Sequence, residues 1–193
     1  MEIVKPWKLV CSGVLLVVID QVIKILVATG MHVGQQIPVI GDWFILCYVE
    51  NAGMAFGMKF GGWVGKLLLS VFRMVLSGVL VWWIMSLNRK PGVPAGFLAG
   101  LTLITAGAIG NLCDCMFYGI AFDNAVAGAP FGFLFGKVVD MFYFPLWTWP
   151  SWVPLIGGDI FFAPVFNFAD SCVTVGAFYL VIFQWKFISS EWK

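Results

Sequence analysis

The sequence predicts an all-α membrane protein built on four transmembrane helices, and three observations lead there. The 193 residues are 61% hydrophobic and 11% charged, with a mean hydropathy of +0.96, whereas a soluble domain carries about 25% charged residues. So little polar surface cannot cover a water-soluble globule. Four apolar runs each come close to the roughly 20 residues that a helix needs to cross a bilayer. The short basic segments fall on one side of such a four-span chain.

The first run covers about 9–29 and follows Lys5 and Lys8. A basic flank before an apolar run is also the plan of a cleaved signal peptide. This run is long enough to span, however, contains Asp20, Gln21 and Lys24, and is followed by no A-x-A site. A retained helix is the better reading. The second run covers about 64–85 and carries Arg73; the third covers about 93–112 and the fourth about 169–188. A chain of this length is expected to form one domain, 1–193.

Lys5 and Lys8, then Arg89 and Lys90 in the SLNRKPG turn, then Lys186 and Lys193, share one side. That side reads as cytoplasmic, with both termini on it. The other side has only Lys59, Lys66 at its edge, and Lys137. Segments of about 30–62 and 115–166 then face outward. In the first, WFILCYV is rich in aromatic and branched residues and suits strands better than helix. The ENAGMAFGMKFGG stretch after it has glycines for tight backbone paths. The second holds MFYFPLWTWPSWVP, whose Trp and Tyr favour the headgroup zone. It reads as an interfacial anchor, and it is compatible with roofing or flanking a lipid-facing cleft.

The net charge of +1 offers no basic field for nucleic acid. Cys11, Cys47, Cys113, Cys115 and Cys172 are odd in number and form no CxxC pair, so neither a disulfide framework nor a zinc site is suggested. They read as small apolar fillers. His32 is the only histidine. Neither a metal nor a cofactor is expected.

Ionisable residues within apolar runs are costly and mark a function or a compensating pair. Asp20 and Lys24, four apart, share a helical face in the favourable order; the pair could neutralise itself, or Lys24 could reach the interface along its stem. Arg73, nearer mid-span, could pair with an acid or thread toward water, and receives no catalytic role. Asn111 and Asp114 lie in GAIGNLCDC, which could be an ordinary polar helix end. Ala106, Gly107, Ala108 and Gly110 allow close helix packing there. In FNFAD, Asn167 suits an N-cap and Asp170 falls at the third helical position, where the helix dipole favours negative charge. That pattern alone could be a plain cap. Asp140, between KVV and FYF, has apolar surroundings that favour its protonated form. Two acids with opposite biases are what a shared-proton dyad needs. No Ser/His or Cys/His set is present, so an acid pair at the outer rim of the bilayer is the candidate catalytic machinery. A proton or ion pathway is the rival reading, but it would string its acids across the bilayer, whereas Asp114, Asp140 and Asp170 gather on one side.

Five blocks in order carry a resemblance: DQVIK (20–24), ENAGMAFG (50–57), GAIGNLCD (107–114), KVVDMFYF (137–144) and FNFADSCVTVG (166–176). The chain resembles lipoprotein signal peptidases (signal peptidase II), which remove signal peptides from lipid-modified prolipoproteins at the bacterial inner membrane. The resemblance implies Asp140 and Asp170 as the catalytic dyad. It implies that Asn51, Gly53, Asn111 and Asn167 line the site and that Asp20, Lys24 and Asp114 support it. It implies a four-helix membrane bundle with a small extracytoplasmic β-cradle and an interfacial arm, and inhibition by globomycin. Its partners would be prolipoprotein substrates and membrane lipid. Many members have Arg directly after the aspartate of the GN-x-x-D block, where this chain has Cys115. That departure is the one feature favouring a non-catalytic relative. The segment between Asp114 and Asp140 is also longer than in compact members, resembling a longer-loop branch.

Overall fold

A computed structural model describes residues 4–53 and 62–191. Most of the glycine-rich stretch after Asn51, with Lys59, lies outside the described residues.

The apolar runs become helices α1 (Pro6–Gly30), α2 (Gly62–Leu87) and α3 (Ala95–Cys113). Pro6 opens α1 at a position where its missing N–H costs nothing. Helix continues past α3 as a π-turn, Asp114–Tyr118, and a short α4, Gly119–Ala121. The three segments Pro6–Gly30, Gly62–Leu87 and Ala95–Ala121 are each long and apolar enough to cross a membrane. The fourth run forms α5 (Phe168–Phe183), then breaks at Gln184 and resumes as α6 (Trp185–Glu191). At 16 residues α5 reaches only about 24 Å, so it alone is shorter than the roughly 30 Å hydrocarbon layer. The third apolar segment was expected to end near residue 112; its helix runs on to Ala121, so the first residues of the expected second outer segment are helical.

Burial in the bundle departs from that of a soluble protein, because polar and charged side chains lie inside while many apolar ones face outward. The buried residues of α1 include Asp20 and Lys24, and those of α2 include Lys66, Ser70 and Ser77. Leu26, Leu68, Phe72 and Trp82 point outward. Such faces suit a hydrocarbon surrounding. The central helix is α3, against which α1, α2 and α5 pack. Its glycines allow the approach. A Cβ at Gly107 would collide with the carbonyl of Ala169 on α5, and one at Gly110 would come within 2.6 Å of the Asp20 carboxylate. Leu9, Ile84, Phe97, Leu98, Leu101 and Leu180 form the core at the end carrying the termini. Between α1, α2 and α3 an apolar cavity of about 300 Å³ includes Thr102 and Thr105 in its wall. Both hydroxyls donate to carbonyls of their own helix, so the cavity offers no polar chemistry.

At the opposite end sits a small sheet. Strands β1 (Gln36–Ile40), β2 (Phe44–Asn51) and β3 (Val138–Tyr143) form an antiparallel sheet in the order β1-β2-β3. The strand expectation for the first outer segment therefore holds. The register places Val49 opposite Asp140 and Asn51 opposite Val138. Val27, Tyr48, Tyr118, Val139 and Met141 pack beneath. Between α4 and β3 the chain doubles back onto the π-turn: Leu134 and Gly136 donate to the carbonyls of Met116 and Cys115, and Phe135 is fully buried. After β3 an arm carries the strands β4 (Trp147–Thr148) and β5 (Ile160–Phe161). The Trp147 and Phe161 rings stack at 3.9 Å, and Trp152 is 80% exposed.

Candidate active site

Asp140 and Asp170 come together because the backbone closes the excursion between them. Phe142 and Phe166 exchange N–H···O bonds of 2.7 and 3.0 Å, and Met141 N–H also reaches the Phe166 carbonyl at 3.2 Å. This puts Asn167 beside β3. Asn167 then caps α5: its Oδ1 accepts from Asp170 N–H at 2.9 Å, and Asp170 Oδ2 accepts from Asn167 N–H at 3.3 Å. This reciprocal cap satisfies two backbone donors that a helix start leaves open.

The cap residue also bridges the acids. Asn167 Nδ2 donates to Asp140 Oδ1 at 2.6 Å and to Asn111 Oδ1 at 3.0 Å. Asn111 Nδ2 donates to Asp170 Oδ1 at 2.8 Å. The other oxygen of Asp140 accepts from Asn51 Nδ2 at 3.0 Å. Asn51 in turn accepts from Gly53 N–H at 2.8 Å, and Gly53 has φ +91°, a conformation suited to glycine. Side-chain alternation on β2 sends Asn51 to the Asp140 face. On the other face, Glu50 pairs with Lys137 at 2.8 Å and accepts from Tyr48 Oη at 3.3 Å. Burial, then the charge of Glu50, pushes the Tyr48 phenol up to about 12.

Asp140 is only 2% exposed. Burial first, and the negative charge of Asp170 second, raise its carboxyl to about 6, against the opposing pull of the Asn51 and Asn167 hydrogen bonds. Burial alone would raise it; the charge of Asp170 adds to that rise. One acid that keeps its proton beside one that carries charge can divide donor and acceptor work between them.

Behind the pair lies a second layer centred on Lys24, which is fully buried. Its ammonium meets three acceptors: Asn111 Oδ1 at 2.8 Å, Asp20 Oδ2 at 3.0 Å and Asp114 Oδ2 at 2.8 Å. An ammonium has three N–H groups, so all are matched. Lys24 thus turns inward rather than along its stem to the interface, and Asp114 is fully buried rather than an ordinary polar helix end. Asp20 Oδ1 accepts from Ala169 N–H at 2.9 Å, and Asp114 Oδ2 accepts from Val139 N–H at 3.1 Å. Each supporting acid therefore holds the backbone residue immediately before one member of the pair.

All nine residues singled out in the sequence lie in or beside this network: Asp20, Lys24, Asn51, Gly53, Asn111, Asp114, Asp140, Asn167 and Asp170. Gln21 was noted only as a polar residue of the first run. Its Nε2 donates to Asp114 Oδ1 at 2.9 Å, Gly110 O at 3.1 Å and Asp20 Oδ2 at 3.1 Å. Its position three residues before Lys24, on one helical face, was the available signal. Two other residues depart from expectation. Lys66 lies within α2 and is buried, not at the edge of an outer loop. Cys115 is not a simple apolar filler, because Lys66 Nζ and Arg73 Nη1 donate to its sulfur at 3.3 and 3.1 Å. Among the described residues Arg73 makes no ion pair with an acid. The network leaves no cluster of His, Cys, Asp and Glu suited to a metal among the described residues.

A family profile described as signal peptidase (SPase) II matches residues 13–186. A lipoprotein signal peptidase of Porphyromonas gingivalis is 46% identical over 182 residues, covering 88% of this chain and 79% of that protein. One from Amoebophilus asiaticus is 39% identical over 183 residues, covering 92% and 78%. A solved bacterial membrane enzyme, obtained by the in meso method at 2.3 Å resolution, superposes with a TM-score of 0.63. That alignment covers 96% of this chain and 92% of the other at 22% identity, and so speaks to the fold alone.

Proposed function

Because the chain belongs to the signal peptidase II family and is therefore a peptidase, we propose that it cuts diacylglyceryl-modified prolipoproteins just before the lipid-bearing cysteine, using Asp140 and Asp170 as its catalytic pair. The observation that carries this reading is the Asn167 bridge, whose amide donates to Asp140 while its oxygen caps the turn of Asp170.

In the mechanism, Asp140 holds a proton and Asp170 is the carboxylate. Asp170 takes a proton from a water lodged between the two, and the resulting hydroxide attacks the scissile carbonyl carbon. Asp140 gives its proton to the carbonyl oxygen, so negative charge never accumulates there. Collapse of the tetrahedral species breaks the C–N bond, the proton collected by Asp170 leaves with the new amine, and one hydroxyl proton returns to Asp140 as the new carboxyl forms. Asn111 and Asn167 aim the two carboxyl groups, and Lys24, through Asp20 and Asp114, fixes the backbone on which both stand. Such fixed dipoles need no rearrangement as charge moves.

In the bilayer, α1, α2, α3 and the α5–α6 segment make four crossings, with both termini in the cytoplasm. The sheet is the outer cradle, and the arm with its exposed tryptophans rests at the headgroups. The setting is the bacterial inner membrane. The apolar outer surfaces admit the acyl chains of the substrate laterally, and a globomycin-type cyclic peptide would compete at the same acids.

The test is product analysis by mass spectrometry with purified protein in lipid. Wild type should release an intact signal peptide and a lipoprotein beginning at the lipidated cysteine, and globomycin should stop it. Asp140→Asn and Asp170→Asn should insert normally and release neither product. Turnover at the wild-type rate in either variant would end this reading.

A further inference from the structure

Among the described residues, two cations of α2 make no ion pair with a carboxylate. Lys66 and Arg73 are seven residues apart, about two turns, and so share one face of the helix. Both converge on the Cys115 sulfur, Lys66 Nζ at 3.3 Å and Arg73 Nη1 at 3.1 Å. The ion pairs among the described residues join Lys24 to Asp20 and Asp114, and Lys137 to Glu50. The undescribed stretch 54–61 contains no Asp or Glu that could supply a partner. Asp114 accepts from Lys24, Gln21 and Val139.

A charge carried inside an apolar helix is costly and is a candidate for function. Arg73 has five N–H donors in a planar fork, and the sulfur takes one. The other amino group lies near Gly53, beside the Leu69 side chain: a Cβ built at Gly53 would be 3.9 Å from Arg73 Nη2. Gly53 N–H donates to Asn51, and Asn51 donates to Asp140. Gly53 and Asn51 thus link the neighbourhood of Arg73 to Asp140. Side chains on a helix lean toward its N-terminus, which for α2 is the end nearest the sheet. Lys66 is 3% exposed and shares the Cys115 sulfur with Arg73.

We propose that Arg73 is a substrate-binding residue whose guanidinium donates to carbonyl oxygens of the lipid-modified segment at the scissile bond, with Cys115 and Lys66 as its positioning residues. This rests on the function proposed above. That segment offers two sources of one chemistry, peptide carbonyls and the ester carbonyls of the diacylglyceryl group.

The experiment measures steady-state cleavage of an ester-linked lipopeptide and of its dialkyl-ether analogue, which lacks the ester carbonyls. Wild type, Arg73→Gln, Arg73→Lys and Cys115→Ala are compared in lipid, each with its thermal midpoint. On the ester substrate, Arg73→Gln should raise KM about tenfold, the scale of one hydrogen bond from a charged donor, with kcat within about twofold. Arg73→Lys should rise less, and Cys115→Ala should shift KM in the same direction. Loss of the wild-type advantage on the ether analogue would assign the contact to the ester, and its persistence would assign it to the peptide. An unchanged KM in Arg73→Gln, or kcat and thermal midpoint falling together at constant KM, would overturn the proposal. If Arg73→Gln fails to fold, an unchanged KM in Arg73→Lys does the same. Wild type serves as the control: its failure to cleave either substrate would instead refute the proposed function.

Discussion

Asp140 carries the residue-scale argument, since its proton is held by two separable causes. Burial remains when Asp170 is neutralised, but the repulsion from Asp170 does not. Asp170→Asn should therefore move the Asp140 transition downward from about 6, as followed by the infrared absorption of the protonated carboxyl. A transition at or above the wild-type position would contradict the pairing. The folded chain holds this proton more tightly than the unfolded chain does. The stability that Asp140 contributes is thus present below 3.8 and lost as pH rises through about 6. Lys24 supplies the second residue-scale prediction. Lys24→Met leaves Asp20 and Asp114 buried without their cation, a loss of about 3–5 kcal/mol for breaking a buried pair. Chemical unfolding in detergent should show it, and cleavage should fall with it. A variant as stable as wild type would show that the acids do not depend on the lysine.

At the scale of elements, the packing of α3 on α5 sets the position of Asp170. Gly107 faces the carbonyl of Ala169, the residue just before Asp170. Gly107→Ala should cost about 1–3 kcal/mol by overpacking and should lower cleavage beyond what the stability change explains. Normal cleavage would mean that α5 tolerates displacement. This contact also marks where sequence reading stops. The small residues of GAIGN announced close packing, and FNFAD announced a cap, because both are local patterns. The Phe142–Phe166 bridge that unites the acids is a long-range pairing with no local signature. The inward turn of Lys24 was equally hidden, since spacing fixed its helical face but not that Asp114, just past α3, would meet it. Cys115 read as apolar because its two cations come from a different helix. The break at Gln184 has no Gly or Pro to announce it.

For the whole molecule, apolar side chains outside and ionic ones within are consistent with a bilayer, and composition alone made that class legible. The basic residues at one end propose a direction. A reporter active only outside the cytoplasm should be active when fused in the arm near Trp152 and silent in the turn at Lys90; the reverse pattern would invert the topology. The central claim is that Asp140 and Asp170 act as one unit. Residues that act as a unit are strongly non-additive. The most direct measurement is therefore single-turnover cleavage by Asp140→Asn, Asp170→Asn and the double variant, with insertion verified for each. The account expects each single change to lower the rate at least about a thousandfold, with the double variant no slower than either. Losses that multiply in the double variant, or one single variant cleaving near the wild-type rate, would contradict it.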